Sequence, residues 1–240
     1  MVDKIINKYK MKISICIPTW EQYNKGVEFL KKNLDSILSQ TYKNFNIIIS
    51  DHSKNEDIKL LCEQYSDKIE IKYFKNERNY GNSPYNTNNS IINANGDIIK
   101  IMFQDDFFYQ NNALELIVEK FKNDKCYWLV SGCNHTINDG QSFFNFMVPY
   151  WNNKIPIGVN TISSPSVLAF RKNLNVAFDD NLVMLMDCEI YYNFYTKYGL
   201  PTIIPETLIT NRLHDNQISS KYNLDINDEI NYVKNKYNIL

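Results

Sequence analysis

Between residues 12 and 121, short β-branched apolar runs take turns with helical stripes, and that alternation constrains the fold more than any single motif. "KISICIPTW" (12–20) has the β-branched richness of a central strand, which Pro18 stops. Leu30, Leu34, Ile37 and Leu38 then share one helical face. "NFNIIIS" (44–50) is a second apolar strand running into Asp51, and Ile58, Leu61, Cys62 and Tyr65 mark another amphipathic helix. "KIEIKYF" (68–74) alternates as a strand does. "NYGNSPYN" (79–86) carries loop residues, and "TNNSIINA" (87–94) predicts a short helix closed by Gly96. A fourth strand opens at Ile98, and Leu114, Ile117, Val118 and Phe121 give a further helix.

This order implies βαβ units: an α/β domain with a Rossmann-like, mostly parallel central sheet flanked by helices. In such sheets ligands bind outside the carboxyl ends of the strands. Three of those ends carry conspicuous residues: Pro18-Thr19, Asp51 and Asp105-Asp106. The second half is less regular. "CYWLVSGC" (126–133) and "SVLAF" (166–170) read as strands, and 134–165 reads as a polar, aromatic loop suited to specificity. "DCEIYYNFYTKYG" (187–199) reads as a helix ending at Gly199. Ile226, Ile230, Val233 and Tyr237 form a last helical stripe with Asp225 as N-cap.

A chain of 240 residues can hold one large domain, and the sequence shows no linker or repeat that would divide it. Lys plus Arg number 26 against 27 Asp plus Glu, a balance that argues against a nucleic-acid partner. The five cysteines form no C-x-x-C and several lie in apolar runs, so they read as reduced core residues rather than a zinc site. The N-terminus lacks an apolar signal region, and no run approaches the ~18 apolar residues of a membrane span. The expectation is a cytoplasmic protein, with peripheral membrane contact left open.

"IIKIMFQDDFFYQ" (98–110) sets two adjacent carboxylates between hydrophobic walls. Such a pair is costly unless something positive meets it, and a divalent cation with hard oxygen ligands would do so. A solvated pair of turn acids is the plain alternative. No G-x-G and no G-K-[ST] occurs, so a phosphate bound here would have to be neutralised without a glycine-rich cradle.

"ISICIPTWEQ", "LDSILSQTYKNFNIIISDHSK", "NYGNSPYNTNNSIINANGDIIKIMFQDD" and "MDCE", in that order and spacing, resemble family 2 glycosyltransferases of the GT-A fold. The likeness is closest over 12–106 and runs on through Arg212 and His214. It implies a single domain over 1–240: a nucleotide-sugar-binding half at 11–125, an acceptor-binding and catalytic-base half at 126–220, and a C-terminal helix at 221–240. It implies inverting transfer from a nucleotide-diphosphate sugar, a UDP-sugar first, to a hydroxyl of a glycan or glycoconjugate acceptor, with Mn2+ or Mg2+ as cofactor. By position, Pro18, Thr19 and Glu21 match nucleotide contacts, Asp51 the acid that meets the base, Asn88 a residue near the diphosphate, and Asp105 the acid near the ribose. Asp106 matches the metal ligand, His214 a second residue at the metal, and Asp187 the catalytic base.

Several positions depart from the family pattern. Ser50 stands where an acid often precedes Asp51, Thr87 stands where Arg often precedes Asn88, with Arg78 a substitute cation, Gln104 opens the D-x-D-type triplet, and Met186 precedes Asp187. Asp187 and Glu189 diverge by helical geometry, so one of them faces the cleft: Asp187 by the match, Glu189 as fallback. Both could instead be first-turn acids favoured by the helix dipole. Tyr150 and Trp151 could stack on a sugar acceptor or fold into the core. Two other readings stay open: a sugar nucleotidyltransferase, and a nucleotide-sugar or glycan-binding module without catalysis.

Overall fold

The computed structural model of the chain describes residues 11–215, 217 and 226–239. β1 (Ile13–Thr19), β2 (Phe45–Asp51), β3 (Ile71–Lys75) and β4 (Ile98–Ile101) are joined by α1 (Gly26–Leu38), α2 (Asp57–Tyr65) and α3 (Ser83–Ile92). They pair in parallel in the order β3-β2-β1-β4. Ile13, Ile15, Ile17, Ile47, Ile48, Ile49, Ile98 and Ile99 are wholly buried. Helices cover both faces of such a sheet, so its strands read as continuous apolar runs. The register sets Thr19 beside Asp51, so the carboxyl ends of β1 and β2 lie side by side.

The chain continues through β5 (Phe107–Phe108), α4 (Ala113–Phe121), β6 (Trp128–Thr136), β7 (Phe144–Met147), β8 (Leu168–Arg171), α5 (Met186–Tyr198), β9 (Thr202–Arg212) and α6 (Asn227–Tyr237). The sheet runs β3-β2-β1-β4-β8-β6-β9-β5, with β7 on β6. The long pairings, including β6 with β9, are parallel, whereas the antiparallel ones span two or three residues each. The mostly parallel α/β architecture expected from the sequence is therefore what forms.

Three elements differ from the sequence reading. α3 starts at Ser83, inside the expected loop, because Asn82 accepts a hydrogen bond from Tyr85 N and Pro84 sits in the first turn, where its missing N–H costs nothing. Part of 134–165 forms β7, whose residues 144–146 are exposed and therefore show no buried-strand pattern. β9 is not expected from the sequence because Pro205 interrupts it. The β6–β9 register slips on either side of Gly132, where a Cβ would lie 2.7 Å from Pro205 O. This irregularity accommodates a proline that a regular inner strand would reject. Asp225, the expected N-cap of the last helix, lies outside the described residues. All five cysteines are buried and free. Among the described residues, no helix is long and apolar enough to cross a membrane.

Candidate active site

At the β1–β2 edge, Asp51 is wholly buried and its carboxylate is fully engaged. Oδ1 accepts from Ser53 N (2.9 Å), Ser53 Oγ (2.6 Å) and Thr19 Oγ1 (3.2 Å), and Oδ2 accepts from Tyr73 OH (2.6 Å). Lys75 Nζ adds a cation at 3.6 Å. Burial, then the bond to Asp51, pushes the Tyr73 phenol well above its ordinary value, so it stays a donor. Ser50 joins an amide network: its Oγ donates to Asn86 Oδ1 (2.6 Å) and accepts from Asn89 Nδ2 (2.8 Å).

Beyond β1, Trp20 and Gln104 are joined by two hydrogen bonds. Glu21 accepts from Lys54 N at 3.2 Å. Asn88 turns to the chain itself: its Nδ2 donates to Phe178 O (2.8 Å) and its Oδ1 accepts from Phe178 N (2.9 Å). Pro18 is half-buried in β1 opposite Ser50. The Arg78 carbonyl bonds the His52 ring (3.0 Å). Arg171 donates to the Phe121, Asn123 and Cys126 carbonyls, a structural role.

The loop after β4 brings the acid pair against the end of β9. His214 Nε2 lies 3.0 Å from Asp105 Oδ2. Arg212 Nε donates to Asp105 O (3.1 Å), and its guanidinium lies over the Phe29 ring, 4.3 Å from the centroid, and bonds Asp139. Asp106 points inward: Oδ1 accepts from Arg212 N (3.2 Å) and Oδ2 from Ser164 Oγ (3.2 Å). Burial, reinforced by the neighbouring Asp105 carboxylate, pushes the Asp106 carboxyl up to about 7. Burial also drives Lys100 down to about 7, and its amine donates to the Ile101 and Ser166 carbonyls.

The acid pair is thus short of positive charge. Two adjacent carboxylates, one raised by the other, are hard oxygen donors whose repulsion a divalent cation would relieve. Among the described residues, no three His, Cys, Asp or Glu side chains already converge.

Asp187 stands in the first turn of α5. Asn160 Nδ2 donates to its Oδ2 at 2.6 Å, and Cys188 N donates to its Oδ1 at 2.7 Å. Burial outweighs these bonds and pushes the carboxyl up to about 6. Glu189 faces the other way and is wholly buried, accepting from Lys236 Nζ (2.7 Å) and Tyr237 OH (2.5 Å) of α6. The helical divergence is realised, and Glu189 is committed to packing. Trp151 stacks on Tyr195 with centroids 4.3 Å apart, while Tyr150 is exposed.

Sequence reasoning missed Asn160. Its Oδ1 accepts from Ile162 N and Ser163 N, both at 2.9 Å, while its Nδ2 holds Asp187. One asparagine among many carries no periodic signal. A polar residue in the aromatic loop before a helix-start acid is the one hint available.

A family model described as Glycosyl transferase family 2 matches residues 14–188. An uncharacterized glycosyltransferase of Rickettsia typhi is 26% identical over 89% of this chain and 68% of its own length. A crystal structure of S. aureus TarS in complex with UDP superposes with a TM-score of 0.67 at 17% identity, over 85% of this chain and 61% of that one. The mannosyltransferase PcManGT from Pyrobaculum calidifontis, in complex with GDP-Man and Mn2+, gives 0.60 at 14% identity, over 85% and 57%. The chain thus spans about three fifths of the solved TarS 1-349 and PcManGT chains, and 37% of a longer TarS chain. With the family match covering most of its length and these architectures superposing on its own, the chain belongs to glycosyl transferase family 2 and has the GT-A fold.

Proposed function

We propose that the chain transfers a sugar, with inversion, from a nucleotide-diphosphate sugar to a hydroxyl of a glycan or glycoconjugate. The observation that carries this reading is Asp187: a half-buried carboxyl, held by Asn160 and raised to about 6, suited to take a proton near neutral pH. An acceptor hydroxyl is a poor nucleophile until a base removes its proton, and Asp187 is that base. The nucleotide belongs to the crevice beside Pro18, Thr19, Glu21 and Asp51. UDP is the first donor to test, because TarS was solved with it.

Asp106 would hold a divalent cation, with Asp105 and His214 beside it, and Mn2+ fits by analogy with the PcManGT complex. When bound, that ion supplies positive charge against the diphosphate as it leaves. The chain's own part is to keep the acid pair oriented: Arg212 and Ser164 hold Asp106, and His214 holds Asp105.

The test is incubation with UDP-, GDP- and dTDP-sugars, with and without Mn2+, reading free nucleoside diphosphate. Slow release from one donor, abolished by Asp187→Asn, is expected. Donor binding with no release across acceptor panels would instead establish a binding module.

A further inference from the structure

We infer that α6 positions the catalytic base, and that Glu229 does so by capping α5 from another helix. The inference rests on the reading of Asp187 as the base. α5 begins without a cap of its own: Leu185 occupies the N-cap position and offers no side-chain acceptor. The backbone N–H groups around a helix start need partners. Glu229 supplies them from 44 to 46 residues away. Its Oε1 accepts from Val183 N (2.9 Å) and its Oε2 from Met184 N (3.0 Å) and Leu185 N (2.8 Å).

The same helix grips α5 a second time. Lys236 and Tyr237 bind Glu189. Asp187 therefore lies midway between two points that α6 holds, Leu185 and Glu189, each two residues away. Lys236 Nζ also reaches Asp179 Oδ2 (2.6 Å), as does Tyr232 OH (2.9 Å). Burial opposes the ionised Asp179, but these partners and Asn181 hold it down at about 2. Val233 is the buried residue of α6 and Ile230 and Tyr237 pack beside it, so the charged and polar contacts to the segment that carries the base are made in addition to apolar packing. A helix present only to cover apolar surface would not need a carboxylate aimed at three amides.

The test uses the full chain, Glu229→Ala and the milder Glu229→Gln. Amide exchange should lose about tenfold or more protection at Val183, Met184 and Leu185. The side-chain amide signal of Asn160, which reports its bond to Asp187, should move towards its position in Asp187→Asn. Nucleoside diphosphate release from the donor found active in the screen should show kcat falling with donor KM unchanged. Added to Asp187→Asn, Glu229→Ala should lower kcat no further. The inference is overturned if the Asn160 signal stays in place while protection is lost, or if Glu229→Ala costs the same with and without Asp187. Near-normal turnover of Asp187→Asn would refute the base assignment instead, and the exchange and amide signals would still test the clasp. Should Glu229→Ala not fold, Glu229→Gln, which keeps one acceptor oxygen, should show the same changes at partial size, and their absence would overturn the inference equally.

Discussion

Gln104 and Trp20 hold each other by both halves of a peptide-like clasp: Gln104 Oε1 accepts from Trp20 N at 2.8 Å and Gln104 Nε2 donates to Trp20 O at 2.9 Å. An amide donates and accepts at once, whereas an ionised carboxylate only accepts. Gln104→Glu should therefore lose stability, by ~1–3 kcal/mol, since it sets a carboxylate against a carbonyl. It should not tighten Mn2+ binding. Urea midpoints and a metal titration check both halves.

Gly26 packs into that clasp. A Cβ there would lie 2.3 Å from Trp20 O and 2.8 Å from Gln104 Nε2. Helix propensity alone favours alanine over glycine by about 1 kcal/mol. The crowding should reverse the sign, so Gly26→Ala is expected to lower Tm and weaken donor binding.

Asp187→Asn should cut turnover by roughly 10²–10⁴-fold with donor affinity retained. The wild-type rate should fall about tenfold per pH unit below about 6, because the raised carboxyl becomes protonated there and cannot act as a base. The stability sign is opposite. A carboxyl whose folded value exceeds the ordinary 3.8 favours its protonated form, so this group's contribution declines as pH rises towards 6. Asparagine removes that cost, and Tm at pH 8 should not fall. A flat rate profile from pH 5 to 8 would contradict the assignment.

Asp51→Ala strands the donors of Ser53 and Tyr73, while Thr19 keeps Ser50 O and Lys75 keeps Asn55 O and Glu56. A drop of several kcal/mol in unfolding free energy is expected, because each buried donor left without an acceptor costs ~1–3 kcal/mol. A variant that loses UDP affinity yet melts like wild type would show that the carboxylate serves the nucleotide alone.

Asp106→Ala should abolish the difference in donor affinity with and without Mn2+, read by calorimetry. Because its carboxylate is buried beside Asp105, removing it should not destabilise the apo chain severely, unlike Asp51→Ala.

The half of the fold built from Ile13 to Ile101 is legible in the sequence because fully buried strands and amphipathic helices write their burial directly into it. The divergence of Asp187 and Glu189 is legible from helical geometry. Asn160, the Gln104 clasp and Glu229 are not, because a polar side chain that bonds backbone far along the chain leaves no periodic trace. β9 is hidden because Pro205 argues against a strand, and only the register slip beside Gly132 makes room for it.

The 109 positions separating Asp105 from His214 set an order on synthesis. Strands β1 to β4 can zip together while the chain is still being made, since their partners are near in sequence. Asp106 and Asp105 acquire Arg212 and His214 only once β9 and the residues after it have emerged. A nascent fragment ending at Tyr198 should thus own the parallel strands but an acid pair still lacking the donors that hold it in place.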